Sequence, residues 1–306
     1  MSDAARVPSR ATGGAADPLR DRGGRFPLNA LRRLGWRGDS AWGMAAGVFL
    51  LMEIALAVAA PLIAGHNPAV GDVDQRLLPP GTPGFPLGTD ALGRDVLAKM
   101  LYGAQVSLAV GGVSVLVAGA IGVLAGLLMG YYGGWVDAVG SRIVDVQLSF
   151  PFMALALTIA AVLGAGFSGI IATLVISSWV LYARLARGDA MAMKRQEFVE
   201  AARAIGAPGW RIVLRHVLPN VLGPAIALAS LEAGRLIVAE ASLSFLGYGI
   251  QPPMSAWGLM LADGKDYMSR AWWLTVMPGV AVSLTCLATS LMGDWLTDVL
   301  DPRMRG

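Results

Sequence analysis

Cysteine is nearly missing from this sequence. Cys286 is the only one, so no disulfide can form within the chain. Charge is scarce too: 15% of residues are Asp, Glu, Lys or Arg, against roughly 25% in an ordinary soluble domain. With 55% hydrophobic residues, that scarcity argues against a soluble protein and for an integral membrane one. Histidine is confined to His66 and His216. These are expected on opposite sides of the membrane, which excludes a His-based metal site within one chain. No GxxxxGK[ST] run occurs, so the chain has no P-loop for ATP. HExxH and GxSxG are absent as well, and no nucleophile and base can be assembled at matched depth. The chain alone is therefore not expected to be an enzyme, and no metal or cofactor is expected in it. The net charge of +3 is sorted by topology rather than gathered into a patch, so nucleic acid is not an expected partner.

What is present is a series of long apolar runs. About 20 apolar residues cross a bilayer as a helix, and six spans are expected, at about 41–65, 106–129, 146–163, 170–185, 221–243 and 272–292. The reading is an all-α polytopic membrane protein with both termini on one side. Residues 1–40 form an Arg-rich tail, expected to be disordered and cytoplasmic, whose final part, 31–37, reads as a short basic surface helix. A signal peptide is not expected, because the apolar run that follows is too long. Residues 41–302 form the membrane domain, with a cytoplasmic region at 188–219, and 303–306 are a short C-terminal tail. Lys and Arg fix the orientation. Even without the tail, the expected inner segments hold twice as many as the outer loops, and positive charge favours the cytoplasmic side.

Several spans carry unusual residues. Gly122, Gly126 and Gly130 repeat the GxxxG spacing that lets helices approach closely. Glu53 sits near the middle of the first span, where a carboxylate must be paired, protonated or turned toward protein. A buried side chain at a helix contact is the expected role, and a place on a translocation pathway is the alternative. Glu232, Arg235 and Glu240 fall in the fifth span. Glu232 and Arg235 are i,i+3 neighbours able to pair. Pathway lining and static bridging between helices remain equally open for these three. Residues 66–104 form an outer loop ending in LGTDALGRDVLAKMLYGAQVS. Thr89 or Asp90 is expected to cap a surface helix there, with Asp95 and Lys99 paired at i,i+4 and no ligand contact. Residues 131–145 read as a short loop, and 244–271 as a second outer loop, partly re-entrant and partly extended.

The chain is organised around EFVEAARAIGAPGWRIVLRHVLPN, residues 197–220, a polar island between spans. Phe198, Ala202 and Ile205 fall at i, i+4 and i+7, one face of a helix. Gly206 stands where a left-handed cap would end that helix, and Pro208 prevents its continuation. A second short helical run over 210–217 leads to Pro219 and the fifth span. A pair of surface helices with a small apolar face suits either lipid or a groove on another protein.

These residues also carry a resemblance. Glu200-Ala201-Ala202, three residues, Gly206, and then Leu218-Pro219 resemble the EAA loop of ABC importer permeases. LGTDALGRDVL (87–97), GYYGGWVDAVGSRIVDVQLSFP (130–151), ASLSFLGYGIQPPMSAWGLML (241–261) and LMGDWLTDVLDP (291–302) are similar to the C-type permease of dipeptide and oligopeptide importers, a branch that includes nickel and glutathione systems. The likeness covers about 40–302. The chain departs from the general pattern at His216, where an aliphatic residue is usual, although the peptide branch often has His there. The resemblance implies a type I importer permease in a bacterial inner membrane, with both termini cytoplasmic. It implies three kinds of partner besides the lipid bilayer: a second homologous permease, one or two cytoplasmic ATPases holding ATP and Mg, and an extracytoplasmic binding protein. It makes 197–212 a coupling helix, with Glu197, Glu200, Ala201, Ala202, Gly206, Leu218 and Pro219 meeting the ATPase. It leaves the cargo open among dipeptides, longer peptides, glutathione and nickel chelates. An ATP-independent channel or secondary transporter, and a membrane scaffold, are the competing classes. The first of these usually shows an internal repeat, and none is visible.

Overall fold

In a computed structural model the structure describes residues 28–300, with side chains from 41 to 299. The tail expectations at 1–27 and 301–306 lie outside those residues. The expected basic helix at 31–37 falls within the start of α1 (Leu28–Val58). Everything below concerns the chain from Ser40 onward.

The described residues contain helices and no strand. Five helical stretches are long and apolar enough to cross a membrane: Ala41–Val58, Val96–Tyr132, Phe167–Met193, Gly209–Phe245 and Trp273–Val299. A sixth crossing requires counting a bent pair, Gly134–Leu148 with Phe152–Leu163, whose axes differ by 96°. A short α2 (Ala60–Ile63) follows α1.

The second span is longer than expected. The surface helix and the span form one element, α3 (Val96–Tyr132). Its cap is Asp95, whose Oδ1 accepts from the Leu97 amide at 2.9 Å, and not Thr89 or Asp90. Those two are buried in the preceding loop and satisfy its backbone instead.

The expected loop at 131–145 is helical. α3 stops at Gly133 (φ +69), and α4 (Gly134–Leu148) begins at once with Gly134 (φ +57). Two successive residues in the left-handed region reverse the chain without a loop, a conformation glycine adopts freely. The expected third span is therefore broken. α4 ends at Leu148, and α5 (Phe152–Leu163) starts after Pro151 in a new direction. Proline cannot donate to a continuing helix, and it pushes the residue before it out of the helical region.

α6 (Phe167–Met193) packs along α3. A methyl placed on Gly122, Gly126 or Gly130 would lie 2.3, 2.4 and 2.5 Å from the carbonyl oxygens of Trp179, Ala183 and Arg187. The expected close approach of the GxxxG face is thus made against α6. The chain then forms α7 (Glu197–Ala204) and α8 (Gly209–Ile212), followed by a π-turn, Val213–Val217, that runs directly into α9 (Leu218–Phe245). α10 (Trp257–Gly264) is a helix within the 244–271 loop, and α11 (Trp273–Leu300) is the final span.

The bundle has two distinct ends. One carries the loops around residues 64–95, 164–166 and 246–272. Hydrogen bonds join them to each other and to α11: Gly166 N donates to Gly249 O (2.9 Å), and Trp273 Nε1 to Thr89 O (3.4 Å). The opposite end carries the α3–α4 reversal, α7 and α8. There Tyr131 lies against Gly209 and under the Arg203 guanidinium, 5.6 Å from its ring centre.

Candidate functional site

Eight residues from Glu197 make α7, and its C-terminus is built as the sequence predicts. Gly206 N donates to Arg203 O (2.9 Å) and Ala207 N to Ala202 O (3.1 Å). This is the paired-bond Schellman stop, with Gly206 at φ +80. Pro208 then caps α8.

The face read from Phe198, Ala202 and Ile205 is divided in the structure. Val199 and Ala202 point inward, into a cluster with Tyr131, Ile212, Val213 and Val217. Phe198 is 44% exposed and Ile205 86% exposed. With only two turns, α7 anchors through a pair at i and i+3, and Phe198 and Ile205 are left facing outward. Glu197, Glu200, Ala201 and Gly206 are exposed as well, and so are Trp210 of α8 and Leu214 of the π-turn. The two carboxylates sit in the first turn of α7, where the exposed amides favour negative charge. Leu218 is half-buried and Pro219 exposed at the start of α9. Arg187 in α6 holds Asp137 of α4 through Nη2–Oδ2 at 2.9 Å, bracing the same end.

The four intramembrane charged residues do not form one site. Glu53 accepts from Thr285 Oγ1 at 2.7 Å, joining α1 to α11. Its other oxygen has no hydrogen-bond partner among the described residues. Glu240 is fully buried. It accepts from Ser107 Oγ of α3 (3.0 Å) and Ser244 Oγ (2.8 Å). The same two hydroxyls accept from the Trp257 and Ile250 amides, so Glu240 locks α3, α9 and the second outer loop together. Glu232 and Arg235 pair as expected, with Nε 2.9 Å from both carboxylate oxygens. The Arg235 guanidinium also lies 4.0 Å from the centre of the Phe152 ring at the start of α5.

A further charged cluster, which the sequence reading did not single out, occupies the loop end. Lys99 Nζ reaches Asp90 Oδ2 at 2.9 Å and Asp263 Oδ2 at 3.4 Å, and Arg94 Nε reaches Asp90 at 2.7 Å. Lys99 therefore does not pair with Asp95. Asp95 lies 2.9 Å from His66 Nδ1 instead. Burial disfavours the Asp90 carboxylate, but Lys99 and Arg94 outweigh it and hold the group below the usual carboxylate range. A cavity of about 580 Å³ opens beside this cluster, lined in part by Pro252 and Tyr267. The available signal was charge density: Asp90, Arg94, Asp95 and Lys99 fall within ten residues of a chain poor in charge.

The profile of the family described as "Binding-protein-dependent transport system inner membrane component" matches residues 122–306. The chain belongs to this family. Among curated permeases, it is 39% identical to the glutathione transport system permease protein GsiD of Pectobacterium atrosepticum, over 94% of this chain and 95% of that one. It is 39% identical to the probable D,D-dipeptide transport system permease protein DdpC of Escherichia coli K12, over 85% and 87%. It is also 39% identical to the di/tripeptide transport system permease protein DppC of Pseudomonas aeruginosa, over 84% and 87%. The fold is similar to that of a chain in the MetNI methionine ABC transporter, solved in inward-facing conformations. The TM-score is 0.56 at 20% identity, covering 67% of this chain and 97% of that one. The permease is thus a multi-pass inner-membrane component of a binding-protein-dependent transport system, and catalysis is not its own task.

Proposed function

We propose that this permease is one of two homologous membrane subunits of an ATP-driven importer of di- or oligopeptides, and that α7 is the helix through which ATPases drive it. The observation that carries this reading is the outward surface of α7. Val199 and Ala202 pin the helix to the bundle, while Phe198 and Ile205 of the same helix, and Trp210 and Leu214 after it, stay uncovered, as do Glu197 and Glu200. A surface of small and apolar residues with two carboxylates suits a groove on a partner better than water. The end of the bundle that carries α7 is then cytoplasmic, in line with the distribution of Lys and Arg.

In this reading one or two cytoplasmic ATPases bind and hydrolyse ATP with Mg, and their closure moves α7 and α8. The π-turn at Val213–Val217 makes α8 continuous with α9, so displacement at one end passes into a span that bears Glu232, Arg235 and Glu240. The spans exchange inward- and outward-facing arrangements, as in other gated two-state elements. A binding protein delivers cargo at the loop end. Peptide is the favoured cargo because relatives at 39% identity are named for dipeptide, di/tripeptide and glutathione transport, and glutathione is itself a small peptide.

The test is recovery of the solubilised permease from its native membrane with its bound proteins identified, followed by uptake in vesicles. Co-purification of a second permease, ATPases and a binding protein, with ATP-dependent peptide accumulation, is the expected outcome. Isolation of the chain alone under conditions that preserve such complexes, or transport without ATP, would overturn the proposal.

A further inference from the structure

We infer that Arg235, set at the break between α4 and α5, is a binding site for the terminal carboxylate of the transported peptide. This rests on the peptide-importer reading above and adds a location and a ligand chemistry to it.

Arg235 lies well inside the membrane. At 1.5 Å per residue it is about 25 Å from Leu218 and about 15 Å from Phe245 along α9. Its Glu232 partner is almost wholly covered, with a side chain 8% exposed, but the Arg235 side chain is 34% exposed. The pair is therefore lopsided: the glutamate side chain is covered, and about a third of the arginine side chain is not. A cation directed at lipid is costly, so an arginine exposed at this depth faces protein or a water-filled path.

The chain supplies a cavity there. Gln147, Phe150, Phe152, Ser177, Leu181 and Arg235 line a space of about 90 Å³, enough for a carboxylate group or a few waters. The other polar side chains around it are already engaged. Gln147 donates to Ile176 O and accepts from Trp179 Nε1, and Ser177 donates to Thr173 O. Nε and Nη2 of Arg235 go to Glu232. Nη1 has no acceptor among the described residues. With its Nε and Nη2 held by Glu232, the guanidinium keeps Nη1 free to donate to a second acceptor.

A second, largely apolar cavity of about 380 Å³ adjoins it, sharing Gln147, Phe150 and Leu155 and bounded by Ile143, Ile176 and one charged residue, Arg142. A ligand with an anionic end and an apolar body fits the two together, and a peptide C-terminus has that form. The broken span is what creates the space. The turn at Ser149–Pro151 is exposed on this chain, and non-helical backbone at membrane depth is tolerated only against protein or along a water-filled cavity.

The test uses the complete importer in vesicles with trialanine and trialanine amide. Removing Arg235 alone would leave Glu232 buried and unpaired, so the variant replaces both, Glu232→Gln with Arg235→Gln. The binding protein's own preference cancels when each peptide is compared with wild type. The ratio of free-acid to amide uptake is expected to fall about ten- to hundredfold, the size of one charge-assisted hydrogen bond. An unchanged ratio, whether both rates drop or neither does, overturns the site. A second measurement needs no binding protein. A cysteine at Phe150, alone or with the Gln/Gln pair, is treated with thiosulfonate reagents that differ only in charge. Faster labelling by the anionic reagent, lost in the Gln/Gln background, is expected. Equal labelling by both reagents, or none by either, overturns the site. Failure of the wild-type complex to accumulate either peptide would instead remove the peptide-importer reading, and the labelling result would still judge the cavity.

Discussion

Gly206 separates two explanations of why a glycine ends α7. Its φ of +80 is a conformation that costs an L-residue roughly 1–2 kcal/mol. Yet a Cβ built there meets nothing within 4 Å of this chain. Within the permease by itself, alanine and tryptophan at 206 should therefore carry the same backbone penalty and no steric one. Asparagine, which tolerates the left-handed region, should cost less. If the cap only shapes α7, Gly206→Ala and Gly206→Trp weaken partner binding equally, by roughly five- to thirtyfold for 1–2 kcal/mol. If an ATPase groove closes over the cap, the tryptophan must also clash with the groove wall, and its loss is far larger. The proposed docking predicts Asn mildest, Ala next and Trp abolishing the complex. The assay is ATPase recovered per tagged permease, followed by peptide-stimulated ATP hydrolysis. Equal deficits for Ala and Trp would refute docking at this surface, and so would normal assembly with full transport in the Trp variant.

Three more outcomes follow from the packing. Asp90→Asn leaves Lys99 buried with only the 3.4 Å contact to Asp263, and should cost about 3 kcal/mol in thermal unfolding near pH 7, typical of breaking a buried pair. The folded-state pKa of Asp90 lies below its unfolded value. Its contribution is therefore complete above the ordinary carboxylate value of about 4 and is lost as pH falls through the lower folded value; a melting series down to pH 2–3 should show wild type losing an advantage that Asp90→Asn never had. Gly126→Ala places its methyl 2.4 Å from Ala183 O and 2.7 Å from Ala186 Cβ, so α3 and α6 must part at about 1–3 kcal/mol. Gly112→Ala, on the same helix in open space, should be neutral, and equal losses in the two melts would contradict the close-packing argument. Glu240→Gln removes one acceptor facing two serine hydroxyls and should lower the melting point by the equivalent of about 1–3 kcal/mol. Uptake per folded molecule should hold if Glu240 only bridges helices, and a selective loss of uptake would return it to the pathway.

Features governed by neighbours along the chain were legible in the sequence. The apolar runs predict crossing helices because each needs only its own length and composition. The Gly206 stop and the Glu232–Arg235 pair are set within four residues of backbone. The GxxxG face predicts a close contact because glycine has no side chain to hold helices apart, although its partner, α6, could not be named. What failed depended on distant residues. Lys99 has Asp95 one turn away, yet it reaches Asp90 and Asp263 because the loop before α3 folds over the start of that helix and α10 brings Asp263 beside it. Phe198, Ala202 and Ile205 obey a helical period that predicts one common face, but packing against Tyr131 and the α8–α9 junction turns Ala202 inward with Val199 and leaves the other two exposed. The same holds within the membrane. Composition says that Glu53, Glu232, Arg235 and Glu240 must avoid lipid, because uncompensated charge there is expensive. It is packing that seals Glu240 behind two serines and leaves Arg235 open at the broken span, since a charge is satisfied by whichever groups the fold brings within about 3 Å.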